Sequence, residues 1–241
     1  MLKRVNSQKV QKLRHLFMNI YSEESDLYGI YGIETIRHAI NAGVVEEILY
    51  AGECPLDFSP AREVSEEVME FLTDGRELSA AAICRKSFTP LPLSDLRRVL
   101  ILDHVEYGIN IGKIIYLAYS LGMDAVYVAE GDGVNYHSQA IAEISRGASF
   151  FLPAVPANLP ELIRTMRQQG FCVVGTSLRN AKPLSQIPVR DKMAFIMGNE
   201  NRGVCDEVLD EVDVSCRIEM ENYDSLNVAI ATGIVLYRYR V

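Results

Sequence analysis

The sequence has no tryptophan, few cysteines and few histidines, and each scarcity narrows what the protein can be. The five cysteines, Cys54, Cys84, Cys172, Cys205 and Cys216, are odd in number and show no CxxC spacing. A disulfide scaffold or a zinc ribbon needs closer, paired spacings, so buried or half-buried free thiols in a reducing cytoplasm are expected. His15, His38, His104 and His137 are scattered and read as structural or surface residues; no metal is expected. Apolar runs are short: Val228–Tyr237 is among the longest and falls well below a bilayer span. The N-terminus has charges and amides but no apolar signal core, so nothing marks the chain for export and a cytoplasmic location is expected. Positive charge is also in deficit. The 24 Lys+Arg against 32 Asp+Glu give a net charge of −8, which excludes a globally basic nucleic-acid binder but not a local basic patch.

Familiar nucleotide signatures are missing as well. There is no GxGxxG; Gly131-Asp132-Gly133 runs on into Val134, Asn135 and Tyr136. Gly108 to Gly112-Lys113-Ile114 is one residue short of a P-loop and has Ile where Ser or Thr must hold magnesium. No GxSxG is present, and no Cys–His pairing is apparent.

What is present is ample apolar material: 49% hydrophobic against 23% charged residues over 241 positions, enough for one large domain or two modest ones. Residues 1–22 carry Lys3, Arg4, Lys9, Lys12 and Arg14 and no acid, a local +5. Val5, Val10, Leu13, Leu16 and Phe17 recur there at helical spacing. The stretch reads as an amphipathic basic helix, either an ordinary solvated face packed on its neighbour or a phosphate contact. A segment at Tyr28–Tyr31, a helix at about Ile33–Ala42 and a strand Ile48–Ala51 follow. A helix Pro60–Leu72, with Ser59 as N-cap, and a strand Ala80–Cys84 complete a small α/β unit. Ser87 to Leu93, with two prolines, is the linker. Beyond it Val99–Leu102, Ala125–Ala129, Cys172–Gly175 and Ala194–Met197 are continuous apolar runs, as strands buried on both faces should be. Helical patterns at Ile111–Leu121, Ser138–Ile144, Leu159–Gln169 and Leu226–Tyr239 alternate with them, which predicts an α/β domain with a parallel sheet.

Three polar segments fall at carboxyl ends of predicted strands, where open α/β sheets bind ligands. They are Asn110-Ile-Gly112, Gly198-Asn-Glu-Asn-Arg-Gly203, and Ile218-Glu-Met220 followed by Ser225-Leu-Asn-Val228. Taken singly they are a turn, a turn and a helix cap. Glycines 198 and 203 let the backbone turn sharply and approach a ligand. Ser225 and Asn227 can cap a helix start or hold a ligand there.

In order and spacing the three together resemble the motifs of the SpoU/TrmH branch of SPOUT methyltransferases. That family methylates ribose 2′-hydroxyls of tRNA or rRNA with S-adenosylmethionine. The 198–203 loop is similar to the second motif almost letter for letter, and Ser225 to Val228 to the third. Ser145-Arg-Gly-Ala148, Leu152-Pro153, Asn158-Leu159, Gly170-Phe171 and Val174-Gly175 match intervening landmarks. The resemblance covers 95–241 well and 1–90 weakly. In the latter, Tyr31 to Ala39 is similar to the first-helix region of a ribosomal-protein-L30e-like, substrate-recruiting domain. The resemblance implies a trefoil-knotted parallel sheet flanked by helices. It also implies a homodimer formed through this domain, and a bent S-adenosylmethionine held by Thr176, Gly198, Glu200, Gly203, Ile218, Met220 and Leu226.

The first motif departs from the family pattern. The family's Asp and Pro positions hold Tyr107 and Gly108, and the Arg position holds Tyr116. That Arg is thought to assist deprotonation of the ribose hydroxyl. A ribose hydroxyl ionises only far above neutral pH, and ionising it at pH 7 costs on the order of 7–8 kcal/mol, so some base or cation must help. Tyr is neutral at pH 7 and cannot pair with phosphate as a guanidinium fork does. Tyr116 reads as a helix-face residue or a base of lowered pKa. Arg146 and Arg202 read as replacement cations or as ordinary surface and loop charges, and Glu200 as a substrate contact or a loop hydrogen-bonder. Residues 95–241 hold 14 Lys+Arg against 18 Asp+Glu, so RNA binding would lean on the basic N-terminal helix with Arg97 and Arg98.

The expectation is a two-domain α/β protein: an RNA-recruiting domain over 1–90 and a knotted methyltransferase domain over 95–241. The expected activity is S-adenosylmethionine-dependent 2′-O-methylation of rRNA or tRNA, with Asn110, Glu200, Ser225, Asn227 and Tyr116 at the reacting end. The alternative is a non-catalytic homologue that binds RNA or the cofactor.

Overall fold

The computed structural model describes residues 2, 4–18, 25–86, 91–223 and 225–240. Lys3, the end of the basic stretch and most of the Ser87–Leu93 linker lie outside the described residues. In chain order the elements are α1 (Gln8–Phe17), β1 (Leu27–Tyr31), α2 (Ile33–Asn41), β2 (Val45–Tyr50), β3 (Ala61–Glu63), α3 (Glu66–Leu72), β4 (Ala80–Arg85), β5 (Arg98–Asp103), α4 (Gly108–Ser120) and β6 (Ala125–Ala129). They continue with α5 (Gln139–Ile144), α6 (Ala148–Phe151), β7 (Ala154–Ala157), α7 (Leu159–Gln168), β8 (Cys172–Thr176), β9 (Lys182–Pro183), β10 (Met193–Gly198), α8 (Asp206–Leu209), β11 (Val214–Arg217) and α9 (Val228–Arg238). Two compact units form: Met1–Ser87 with Asn135–Phe151, and Phe88–Val134 with Leu152–Val241.

In the first unit the sheet order is β1-β4-β2-β3, with β4 antiparallel to β1 and β2, and β3 parallel to β2. The apolar stripe of α1 packs as its spacing predicts. Val10 and Phe17 are buried against Leu49, Val68, Met69 and Leu72, while Lys9 and Lys12 stay exposed. The Phe17 ring leaves no room for a side chain at position 29: a Cβ on Gly29 would lie 2.4 Å from it. The helix expected from Pro60 begins later. Ala61–Glu63 instead pairs with β2, and the hydroxyl of Ser65, not Ser59, caps α3 by accepting from the Val68 N–H. Glu66 and Glu67 then favour the positive end of that helix. The segment 135–151 belongs to this unit because Ala142 and Phe150 are buried in its core. The Gln139 side chain both accepts from the Tyr31 N–H (2.8 Å) and donates to its carbonyl (3.2 Å).

In the second unit seven parallel strands run in the order β7-β6-β5-β10-β8-β11-β9. Every residue of β5, β6 and β10 is buried. Val99, Ile101, Ala194 and Ile196 face a core shared with Ile163 and Met166 of α7 and Val208 of α8. This two-sided burial explains the continuous apolar runs. Short strands β7 and β9 extend the sheet beyond the strands that the sequence predicts, and Pro156 sits on β7 at the sheet edge, where a missing N–H is tolerated. β10 enters between β5 and β8 although it follows both in the chain. All parallel strands send their carboxyl ends to one edge, and there the second unit gathers its polar residues.

Arg98 is not available to phosphate. It is 6% exposed, and its guanidinium donates to the carbonyls of Tyr239, Arg97 and Asp191. The expectation that it contacts RNA is corrected by this burial. Arg97 is exposed and paired with Asp191.

Candidate active site

The central ladder of β5 and β10 ends at the pair Asp103 and Gly198. The chain leaves β10 in a tight loop that returns on itself: Asn199 N–H donates to the Gly203 carbonyl at 3.0 Å and Gly203 N–H to the Asn199 carbonyl at 2.9 Å. Both glycines are needed for the closure. A Cβ on Gly198 would sit 2.1 Å from the Gly203 carbonyl carbon and the Val204 nitrogen, and Gly203 has φ +72°. Asn199, 4% exposed, fixes the loop from within. Its Oδ1 accepts from the N–H groups of Asn201 and Arg202, and its Nδ2 donates to the His104 carbonyl at 2.8 Å.

Glu200 projects from this loop onto the start of α4. Its carboxylate accepts from the Glu106 and Tyr107 N–H groups, each at 3.3 Å, and from Asn110 Nδ2 at 2.7 Å. Tyr107, the N-cap, has no side-chain cap of its own, and the carboxylate from the neighbouring loop binds the two N–H groups just ahead of the helix, at its positive end. Partial burial pushes the Glu200 carboxyl up, but the Asn110 amide and the backbone N–H groups outweigh it and hold the group below the usual carboxylate range.

Asn110 uses both ends of its amide. A carboxylate only accepts, so Nδ2 faces Glu200, which leaves Oδ1 to accept from Asn227 Nδ2 at 3.0 Å. Asn227 in turn caps α9, its Oδ1 accepting from Ala229 and Ile230 N–H. The second motif and the two asparagines therefore form one hydrogen-bonded row across two helix starts and a loop.

Thr176, Ile218 and Met220 stand at the same edge. Thr176 ends β8 and donates its hydroxyl to the Ile196 carbonyl, while Ile218 and Met220 follow β11 and are half-buried. Ile218 and Met220 thus bring half-buried apolar side chains to the carboxyl edge of the sheet.

Residues 97–237 match the family model described as the SpoU rRNA Methylase family. The chain belongs to that family. It is 29% identical over 242 residues to the 23S rRNA (guanosine(2553)-2′-O)-methyltransferase RlmP of Bacillus subtilis (strain 168), covering 97% of this chain and 96% of that one. It superposes on the AdoMet-bound rRNA methyltransferase from Sinorhizobium meliloti with a TM-score of 0.84 at 25% identity, over 98% of this chain and 95% of that chain. AviRb of Streptomyces viridochromogenes in complex with AdoMet shares the fold, with a TM-score of 0.81 at 20% identity over 96% of each chain.

Set in this SpoU framework, Glu200, Asn110 and Asn227 come together. Ser225 and Leu226 are exposed ahead of α9. Tyr116 lies six residues beyond Asn110 on α4, about 1.7 turns and ~9 Å along the axis, on another stripe of the helix. Arg202 pairs with Glu106 at 3.3 Å, and Arg146 is exposed in the first unit with φ +52°. Two of the cysteines are chemically quiet: burial pushes Cys216 up to about 11 and Cys84 up to about 12. Cys205 is exposed rather than buried. Asn199 and Asp103 carry no signal in the sequence, because their partners come from loops about a hundred residues away.

Proposed function

We propose that the protein is an S-adenosylmethionine-dependent RNA methyltransferase acting on the 2′-hydroxyl of an rRNA ribose. The single observation that carries the reading is the Glu200–Asn110–Asn227 row, which brings all three motifs to one sheet edge. When bound, S-adenosylmethionine supplies an electrophilic methyl group. The chain positions that donor through main-chain groups at Thr176, Gly198, Gly203, Ile218, Met220 and Leu226, and it orients the ribose through Asn110, Ser225, Asn227 and Glu200. The full-length likeness to an rRNA enzyme favours rRNA over tRNA.

The domain over 1–90 recruits RNA, with Lys9 and Lys12 on the exposed side of α1 as phosphate contacts. Insertion of β10 between two earlier strands supports a trefoil knot in the second unit. A homodimer is supported by exposed apolar side chains on two helices that pack together. These are Ile109 and Tyr119 on α4 and Ile230, Ile234 and Tyr237 on α9. Among the described residues no helix is long and apolar enough to cross a membrane. The likeness to a 23S rRNA methyltransferase supports a cytoplasmic location.

The test is transfer of a labelled methyl group from S-adenosylmethionine to rRNA from a strain lacking the gene, followed by mapping of the product. A 2′-O-methylated nucleotide is expected; donor binding without transfer to any RNA would favour a non-catalytic homologue.

A further inference from the structure

We propose that His104 is the general base that takes the proton from the ribose hydroxyl, with Asp103 as its positioning residue. This rests on the methyl-transfer reading above and supplies the base that Tyr116 leaves missing. Asp103 ends the central strand β5 and is 1% exposed. Its Oδ2 accepts from the Cys205 N–H at 2.7 Å, and its Oδ1 lies 2.7 Å from His104 Nδ1. An ionised carboxylate only accepts, so in the neutral imidazole Nδ1 carries the proton and Nε2 presents a lone pair. The His104 side chain is 47% exposed, so that lone pair is not sealed inside the protein. A buried carboxylate that fixes the tautomer of a half-exposed imidazole is the arrangement by which a histidine is oriented as a base.

The backbone points the same way. His104 has φ +54°, a left-handed conformation that a residue with a Cβ adopts at a cost. The turn is held by Asp103 on the side chain and by Asn199 Nδ2 on the carbonyl. His104 therefore stands one residue beyond the ladder partner of Gly198 and three before Tyr107, whose N–H meets Glu200. The segments that meet this turn also carry Glu106, Glu200, Arg202 and Cys205.

In the reaction His104 Nε2 accepts the 2′-O–H proton as the oxygen bonds to the donor methyl carbon. The carbon–sulfur bond breaks with its electron pair passing to sulfur. The positive charge once on sulfur then resides on the imidazolium facing Asp103, which later releases the proton to water.

His104→Gly tests this, because glycine suits φ +54° and the fold should survive. Thermal melting and calorimetric affinity for S-adenosylmethionine should match the wild type, methyl transfer to rRNA should fall about 10²–10⁴-fold, and added imidazole should restore part of it. Asp103→Asn should lower the rate of the transfer step and leave KM for rRNA and the affinity for S-adenosylmethionine near the wild type, a split that a purely structural role would not give. Wild-type transfer by His104→Gly overturns the base assignment and leaves the methyl-transfer reading standing. A loss of transfer that tracks a loss of melting temperature, without imidazole rescue, overturns it equally. Absence of transfer by the wild-type protein overturns both.

Discussion

The side-chain amide of Asn227 donates to that of Asn110 at 3.0 Å, joining the first turns of two helices whose contacting residues are 117 positions apart. The bond couples the cap of α9 to the carboxylate that sits on the start of α4, so neither asparagine acts alone.

Asn227→Ala should cost about 1 kcal/mol from the lost cap and should also free the Asn110 amide. In a double-mutant cycle with Asn110→Ala, the two losses should fall short of additivity by about 0.5–1.5 kcal/mol. Urea unfolding of the four proteins measures this, and simple additivity would deny the coupling.

Glu200 gives a pH signature. Its carboxyl titrates below the ordinary range in the folded chain. The stability it contributes is therefore present above the unfolded value of about 4.3 and is lost as pH falls through the lower folded value. Glu200→Gln should melt below the wild type at pH 7, by a small margin because the group is partly solvated, and the gap should close in acid. A gap independent of pH would show that the carboxylate charge is not what holds α4.

Gly198→Ala places a methyl group 2.1 Å from the backbone of Gly203 and Val204. The loop must open, at a cost of about 1–3 kcal/mol or more. Calorimetric titration with S-adenosylmethionine should show donor binding weakened far more than by Gly170→Ala, a glycine remote from the 198–203 loop.

The exposed face of α4 and α9 predicts the assembly state. Ile234→Glu together with Tyr237→Glu should halve the mass seen by light scattering while circular dichroism is unchanged. A wild type already monomeric would remove the homodimer.

The sequence disclosed some levels better than others. Strands β5, β6, β8 and β10 were legible because a strand buried on both faces is apolar at nearly every position. Asn227 was legible as a cap because an amide just before an apolar helical pattern has few other uses. The start of α3 was misplaced because Ser59-Pro60 and Ser65 are both plausible caps, and only the pairing of Ala61–Glu63 with β2 decides between them. The role of Glu200 and the pairing of Asp103 with His104 were hidden for different reasons. The first needs a contact across 90 residues, and the second needs a left-handed turn at a residue whose type does not announce one.

The buried guanidinium of Arg98 bears on the timing of synthesis. Its acceptor on Tyr239 lies 141 residues downstream, and the Tyr239 hydroxyl is itself anchored on the carbonyls of Leu184 and Ile187. While the ribosome still holds that tyrosine, the first strand of the large sheet carries a cation missing one of its acceptors. Nascent chains stalled shortly before Tyr239 should thus remain protease-sensitive in the second unit, and resistance should arrive abruptly once that residue clears the exit tunnel.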